Sequence, residues 1–484
     1  MDLKDICGVD NYIADEEVLE QFSMDYSFAP PRRPKAVVKI KDAHTLREVM
    51  KWANETKTPL VPVSSGPPHF RGDTVPSTGG AVILDLSGMK KILHISTLNR
   101  YCIVEPGVTF GELQRKLAEV GLKIPMPLLP RSNKSVLTAL LEREPVTMPL
   151  VQWNLTDPLK CLHILWPNGE EMMTGEAGFQ HKTLEEQWKH NQDQILHMGP
   201  GQWDPYRIIS GAQGTMGIAL WSSIRCELIP QEYKLYFATS EKVDKLLRFV
   251  NRFIRFRYGD EILLLNRWNL ATIIGKQPEE IKAIAEDLPS WILILTLAGY
   301  DILPRERVEY QDEDTCNLAK QFGLELKQSI PGVNDREMYK LLNSVSEDPY
   351  WKIRYKGSCQ EIFFLTPVDR VSEMEATMYS VASELGYPTS EIGGYIQPQQ
   401  QGIVWHVEFD IPYEPGNPKD IERVKGLLIK ASEALMARGA YFSRPYGLWA
   451  DMVYSKDAIN RWVLRELKRI FDPNNIMNPG KLCF

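Results

Sequence analysis

Residues 58–72 read TPLVPVSSGPPHFRG, and this stretch decides the fold that the sequence predicts. The apolar run 60–63 predicts a strand, and the two serines, glycine and two prolines that follow at once predict a tight loop. Backbone amides that such a loop turns inward bind anions, and serine hydroxyls add further donors. The stretch is therefore either an ordinary turn or a loop that binds a diphosphate, and the flanking sequence decides between these interpretations.

Composition limits the functions that the chain can have. With 484 residues, 43% of them hydrophobic, the chain is long enough for two or three packed domains. Its net charge of −7 argues against nucleic acid or an anionic membrane as a partner. The seven cysteines lie far apart without a CxxC pair, so we expect neither disulfides nor a metal centre. Without a leader pattern or a run of eighteen apolar residues, a cytoplasmic protein is expected.

The pattern of elements changes at Pro230. Before it, short apolar runs alternate with helical patterns, and capping boxes are predicted at Thr45 and at Thr109. After it, strand, helix and strand follow one another twice, which predicts an antiparallel sheet covered by helices on one face. The sequence thus divides at Pro230, and residues 1–30 form an N-terminal extension with little periodicity.

Several separated segments form a joint pattern: VPVSSGPPHFRGDTVP, GGAVILDLSGMKKILHI, YCIVEPGVTFGELQRKL, LHILWPNGEEMMTGE, SGAQGTMGIALWSSIRCELIP and the tail DPNNIMNPGK. Together they resemble one family, the vanillyl-alcohol oxidase and p-cresol methylhydroxylase (PCMH-type) FAD flavoproteins. The resemblance implies an α+β fold, in which residues 31–230 and 440–484 form a PCMH-type FAD-binding domain. Residues 231–439 are then an inserted cap domain with a ferredoxin-like antiparallel sheet, and FAD is the expected cofactor.

The resemblance also implies which residues contact FAD. Carried over by position, they are Ser64, Ser65, Gly66 and His69 in the diphosphate loop, Gly107 and Val108 in a second turn, Gly214, Gly217 and Ile218 in a third, and Lys481 near the flavin. Two departures stand against it: Pro67 and Pro68 lack amide donors, and the stretch RSNKSVLTALLEREP lacks the glycines that relatives place beside the flavin. Tyr350 matches the tyrosine that links flavin in the p-cresol branch, but only with a gap, so we expect FAD bound without a covalent link.

Four residues are candidates for the chemistry, again by their position in the family. Arg71 falls near a tyrosine that holds the substrate phenolate, and a guanidinium there also suits an anionic oxygen. Arg444 resembles the family's active-site arginine, and Glu391 is the candidate general base. His406 lies in a predicted strand and points away from Trp405 and Val407, towards either the active site or solvent.

The function expected from this resemblance is an FAD-dependent dehydrogenase of a small aromatic compound. It would oxidise a 4-alkylphenol or benzylic alcohol by hydride transfer to the flavin and pass electrons to a protein acceptor, as part of a homo-oligomer or hetero-oligomer. One alternative is a D-2-hydroxy-acid dehydrogenase, although the Gly-Glu-His-Gly motif common in that group is absent. The other is a flavin-poor subunit that serves assembly or electron relay.

Overall fold

The computed structural model describes residues 2–201 and 204–484, and its first part contains two main sheets. The strands of this part are Tyr12–Ile13 (β1), Ala36–Lys39 (β2), Leu60–Val63 (β3), Val82–Asp85 (β4), Ile92–Ser96 (β5), Tyr101–Val104 (β6), Leu122–Lys123 (β7), Leu159–Leu165 (β8), Glu171–Met173 (β9), Ile218–Arg225 (β10) and Glu227–Leu228 (β11). The first sheet has the order β1-β2-β4-β3, with β4 parallel to both of its neighbours. The second is antiparallel with the order β5-β6-β10-β8-β9, and β7 pairs with β11.

Helices pack against these sheets. They are Leu3–Cys7 (α1), Glu16–Gln21 (α2), Ala43–Thr56 (α3), Phe110–Ala118 (α4), Val136–Leu141 (α5) and Leu184–Lys189 (α6). The sequence predicts α3 and α4, which bury their apolar faces, and does not predict the other four. Thr109 and Glu112 form the predicted capping box of α4. The capping box predicted at Thr45 is wrong, because α3 begins earlier and the Asp42 carboxylate accepts the Thr45 amide hydrogen.

The second part is built around one six-stranded antiparallel sheet, which we call the cap sheet. Its strands are Glu232–Ser240 (β12), Ile262–Asn266 (β13), Trp291–Gly299 (β14), Ser358–Thr366 (β17), Gly393–Gln399 (β18) and Val404–Tyr413 (β19), and a small hairpin of Ser329–Ile330 (β15) and Val333–Asn334 (β16) lies apart. The order β12-β14-β13-β18-β19-β17 is symmetrical about its centre. Each half starts on an outer strand, places its second strand at the centre and returns to the position between them. The predicted repeat contains the first and third strands of each half but not the central strands β13 and β18.

Helices cover the cap sheet on both faces. Seven helices belong to this part: Val243–Phe253 (α7), Arg267–Ile274 (α8), Pro278–Asp287 (α9), Pro304–Gln321 (α10), Asp335–Leu342 (α11), Val371–Glu384 (α12) and Pro418–Ala437 (α13). One face packs against α7, α10, α12 and α13, whereas α8, α9 and α11 pack against the other face of the first half. The prediction of helices on one face is therefore wrong, since α8 is apolar on nearly all sides and gives no one-sided pattern.

The tail returns to the first sheet. It consists of Leu448–Tyr454 (α14), Ala458–Phe471 (α15) and an extended end. The Leu60 amide donates to Ile476 O at 2.7 Å, and the Asn478 amide donates to Leu60 O at 2.8 Å, so the end lies alongside β3. The predicted docking of the tail is confirmed. Strand β3, which precedes the serine-glycine loop, is hydrogen-bonded to the C-terminal end of the chain.

Residues 25–30 cross from this loop to the cap sheet, and we call them the strap. The Tyr26 amide donates to His69 O at 2.9 Å, and Gln360 on β17 donates to Tyr26 O at 2.5 Å. The Asp25 carboxylate accepts the Gly72 amide hydrogen at 2.7 Å. The strap thus ties the loop after β3 to the cap sheet.

Across residues 2–201 and 204–484, none of the helices has both the length and the apolar character that a membrane span requires.

Candidate active site

A cleft opens where three segments of the first part meet the cap sheet. It encloses about 1290 Å³ of atom-free space, part of which is open to solvent. The loop after β3 contributes Ser64, Ser65 and His69, the segment around α5 contributes the second wall, and the turn before β10 contributes the third. Tyr350 and Glu361 close it from the cap side. The loop that the sequence predicts to bind a diphosphate therefore lines this cleft.

The serine-glycine loop is fastened to residues 133–138. Ser65 Oγ accepts the Ser135 amide hydrogen at 3.0 Å, and the Gly66 amide donates to Asn133 O at 3.0 Å. A Cβ at Gly66 would lie 2.8 Å from Asn133 Nδ2, so glycine is needed here for two segments to approach. Gly66 therefore does not line the cleft, and its amide is not available to a ligand.

The two other predicted turns differ in their position. Gly214, Gly217 and Ile218 line the cleft, and Gly214 (φ +71°) lets the turn approach Pro62 of β3. Gly107 and Val108 do not line it. Gly107 packs under backbone oxygens of residues 86–89, and Val108 is buried in the core below.

The cleft retains unused hydrogen-bond donors that fit a diphosphate. No acceptor among the described residues takes the amide hydrogens of Ser65, His69 or Phe70, and His69 Nε2 is buried without a partner. Amides that line a cleft and have no protein acceptor suit an anion. Burial and the nearby Arg131 lower the pKa of His69 to about 3, so positive charge comes from Arg131 and Lys134, which line the same wall.

An ion cluster lies at the inner end of the cleft around Arg71. Its Nη1 lies 2.9 Å from both Glu142 and Glu144, and its Nη2 lies 3.7 Å from Glu361. Lys134 Nζ lies 2.7 Å from Glu142. Burial opposes ionisation of Glu144, but the cations Lys134 and Arg71 outweigh it and lower its pKa to about 2. Two cations therefore face three carboxylates here, and burial raises the pKa of Glu142 while that of Glu144 is lowered.

A second ion cluster continues from Glu361 on the inner face of the cap sheet. Lys352 is 8% exposed, and its Nζ lies 2.6 Å from Glu361, 2.5 Å from Glu408 and 3.0 Å from Asp410. Burial and the neighbouring carboxylates raise the pKa of Asp410 to about 7. The lysine ammonium thus lies at the centre of three carboxylates that are close enough together to hold a cation.

His406 and Arg444 lie beside this cluster, and neither lines the cleft. His406 faces the cluster as strand alternation predicts, with Nε2 3.1 Å from Glu408, and burial lowers its pKa. Arg444 is 4% exposed and lies over the Phe363 ring at 4.1 Å. Its Nη1 has no partner among the residues that the structure describes.

The structure places two other predicted residues away from the cleft. Glu391 accepts hydrogen bonds from Tyr355 at 2.9 Å and Lys356 at 2.6 Å at the outer end of β18. This pairing explains why it does not reach the site. Lys481 donates to Gly72 O at 2.6 Å and faces a different cavity.

That cavity, which we call the rear chamber, lies between the strap, α14 and the tail. It holds about 1150 Å³ of atom-free space and has the aromatic walls Phe28, Phe363, Tyr446 and Trp449. Phe70, Arg71, Asp73, Gln213 and Glu361 line both the cleft and the rear chamber. These five residues form the boundary between the two cavities.

The chain matches two known family profiles. The profile described as "FAD binding domain" matches residues 34–141, and "FAD linked oxidases, C-terminal domain" matches residues 449–482. D-2-hydroxyglutarate dehydrogenase from Stutzerimonas stutzeri (strain A1501) is 22% identical over 497 residues, or 99% of this chain and 98% of that protein. The 4-cresol dehydrogenase (hydroxylating) flavoprotein subunit from Pseudomonas putida is 22% identical over 477 residues, or 93% of this chain and 87% of that protein.

Solved structures share the fold. P-cresol methylhydroxylase with substrate bound superposes with a TM-score of 0.83 at 19% identity, over 100% of this chain and 95% of that one. 4-Ethylphenol oxidase from Gulosibacter chungangensis, in an isoeugenol complex, gives 0.81 at 17% identity, over 99% and 95%. The fold is the PCMH-type FAD-binding fold. The chain is an FAD-linked oxidoreductase.

For this FAD-linked oxidoreductase, sequence reasoning missed most of the charged residues of the cleft and of the two ion clusters. They are Asp73, Arg131, Lys134, Glu142, Glu144, Lys352, Glu361, Glu408 and Asp410. A signal existed in β19, where VWHVEFDI alternates apolar residues with His406, Glu408 and Asp410. Polar residues on one face of an otherwise apolar strand indicate an inner polar surface. No such signal marks Arg131 and Lys134, which stand where glycines were expected.

Proposed function

We propose that this oxidoreductase is a dehydrogenase of a small aromatic substrate, a 4-alkylphenol or a benzylic alcohol. The observation that carries the proposal is the boundary between the two cavities. There the Arg71 guanidinium lies 5.3 Å from the centres of both the Phe363 and the Tyr446 rings, close to the Glu361 carboxylate. Rings, a cation and a carboxylate can hold a phenol, stabilise its oxyanion and accept its proton.

Arg71 and Arg444 would stabilise negative charge on the substrate oxygen. Both guanidiniums pack against Phe363, and Nη1 of Arg444 has no partner among the described residues. A buried cation without a partner is costly, and an anionic oxygen nearby would reduce that cost. Arg444 would act from behind Phe363, since it does not line the cavity.

Glu361, rather than Glu391, is the proposed proton acceptor. It lines both cavities, and Lys352 holds it from behind at 2.6 Å. Because Lys352 also contacts Glu408 and Asp410, three carboxylates share one ammonium. If Glu361 took up the proton, only two charged carboxylates would remain around Lys352, and the repulsion among the carboxylates would be smaller.

When bound, FAD supplies the acceptor for a hydride from the substrate carbon. The free amides of Ser65, His69 and Phe70, with Arg131 and Lys134, would hold its diphosphate. Tyr350 closes the cleft on the cap side and would exclude water, and we propose that the cofactor is bound without a covalent link. A protein electron acceptor is also proposed, since one relative is named as a flavoprotein subunit.

The two alternative functions have weaker support. A D-2-hydroxy acid would bring its own carboxylate to Arg71, which three carboxylates already surround. The hydroxy acid arrives ionised and adds a like charge, which is unfavourable, whereas a phenol arrives neutral and transfers its proton to Glu361 without a change of net charge. The flavin-poor relay subunit is motivated by the Gly66 amide, which is already bonded to Asn133.

Anaerobic bleaching of the flavin absorbance tests the proposal. The FAD-loaded chain is mixed with 4-ethylphenol, 4-hydroxybenzyl alcohol, D-2-hydroxyglutarate or D-lactate. We expect the two phenols to bleach the flavin bands and the two hydroxy acids to leave them unchanged. Bleaching by the hydroxy acids alone would replace the proposal with the first alternative, and absence of flavin bands after FAD is added would favour the second.

A further inference from the structure

Asp73 is a carboxylate that neither the fold nor the proposed chemistry uses. It lies two residues after Arg71 and lines both the cleft and the rear chamber. Asn478 Nδ2 donates to its backbone oxygen at 2.8 Å, which holds the backbone in place. No other residue that the structure describes, Asn478 included, donates a hydrogen bond to the Asp73 carboxylate. The ammonium of Lys481 donates to Gly72 O instead.

A carboxylate in such a place needs a donor from elsewhere. Asp73 is half-buried, and desolvation makes an ionised carboxylate without protein hydrogen bonds costly. Because Asp73 faces cavity space, a ligand can supply the donor. Burial also raises the pKa of Asp73, in agreement with its enclosed position.

The position of Asp73 beside Arg71 limits what that ligand is. In the proposed reaction, Arg71 holds the substrate oxygen at the boundary between the cavities. A group attached to the ring beside that oxygen would therefore meet Asp73 and the start of the rear chamber. The aromatic walls of the chamber, including Tyr446 and Trp449, leave room for it.

We propose, resting on the proposed function, that the substrate is a catechol-type compound with a second hydroxyl beside the first. Asp73 accepts the hydrogen bond of this second hydroxyl, while the first oxygen lies at Arg71. A hydrogen bond to a charged acceptor is stronger than one between neutral groups, so Asp73 determines specificity. A methyl ether at the same position fits the space but provides no donor.

Binding of three small probes to the FAD-loaded chain tests this inference. Phenol, catechol and guaiacol lack the 4-alkyl carbon to be oxidised, so calorimetry reads their affinity without turnover. Catechol is expected to bind at least tenfold more tightly than phenol and guaiacol. Asp73→Asn, which keeps one weaker acceptor, is expected to reduce this preference, and Asp73→Leu to bring it below about twofold. The exposed control Asp287→Leu should keep the wild-type preference.

Three results would overturn the inference. They are equal affinity for phenol and catechol, a preference that survives Asp73→Leu, and loss of bound FAD from both Asp73 variants with the preference unchanged. The last would assign Asp73 to the cofactor. If Asp73→Leu does not fold, the Asp73→Asn ratio decides alone. Failure of the proposed function is separate, since it would show as no bleaching by 4-ethylphenol or 4-ethylcatechol.

Discussion

At the scale of single residues, the site consists of ion pairs between segments far apart in the sequence. Arg71 follows β3, Glu142 and Glu144 follow α5, and Glu361 lies on β17. Pairs this well enclosed are little screened by salt, and loss of one partner leaves a buried charge. Substitutions that keep shape and hydrogen bonding are therefore the informative ones.

Glu361 and Glu391 provide a matched pair for testing the proton acceptor. Glu361→Gln should slow anaerobic flavin reduction by 4-ethylphenol about 100-fold or more, because an amide cannot accept the proton. Glu391→Gln should leave the rate close to wild type, since Glu391 is bonded to Tyr355 and Lys356 outside the cleft. Stopped-flow absorbance measures both rates, and FAD content is the control for folding. Equal rates in the two variants would remove Glu361 from this role.

At the scale of elements, the tail depends on one buried ion pair. Lys468 Nζ on α15 lies 2.5 Å from Asp472, whose carboxylate also accepts the Ile476 and Met477 amide hydrogens. Asp472→Ala should lower the free energy of unfolding by about 3–5 kcal/mol, because it leaves a buried ammonium without its partner. Urea titration measures the change. The double variant Lys468→Met/Asp472→Ala should lose less, and a single variant within about 1 kcal/mol of wild type would contradict the argument.

The sequence predicted elements better than it predicted contacts. Strand β3, the capping box of α4 and the first and third strands of each half of the cap sheet follow from local periodicity, whereas the central strands β13 and β18 were not predicted. Local patterns cannot show which far segment lies opposite, so the bond between Gly66 and Asn133 and the pairs of Arg71 were not predictable. Gly107 illustrates this limit, since its close contact is with backbone rather than with a ligand.

At the scale of the whole molecule, the two parts share buried charges whose ionisation makes stability depend on pH. Lys123 of β7 pairs with Glu261 at 2.9 Å, and Glu361 joins Arg71 to Lys352. Within this network, burial raises the pKa of Asp410 to about 7, well above its usual value. A raised carboxyl pKa stabilises the fold at low pH, and this contribution is lost as pH rises through the folded pKa.

Asp410→Asn should therefore flatten the pH dependence of unfolding. Between about pH 4 and pH 7 the wild type should lose stability through this group, because the folded protein holds the Asp410 proton more tightly than the unfolded chain does. The asparagine carries no such charge and should remove most of that slope. Urea unfolding at several pH values measures it, with the exposed Asp287→Asn as control. An unchanged slope in Asp410→Asn would mean that other groups dominate.

The symmetry of the cap sheet has a consequence for how this protein can change. On the inner face, the second half carries Tyr395, Gln397, His406, Glu408 and Asp410, whereas the first half carries Leu235, Phe237, Leu263, Ile292 and Ile294. One half of the sheet is thus apolar on this face, whereas the other carries the charged groups next to the proposed proton acceptor. Libraries of variants randomised only in the second half should therefore change substrate preference, while the unchanged first half keeps the protein folded and soluble. The repeat thus separates the residues that can evolve new specificity from those that maintain the fold.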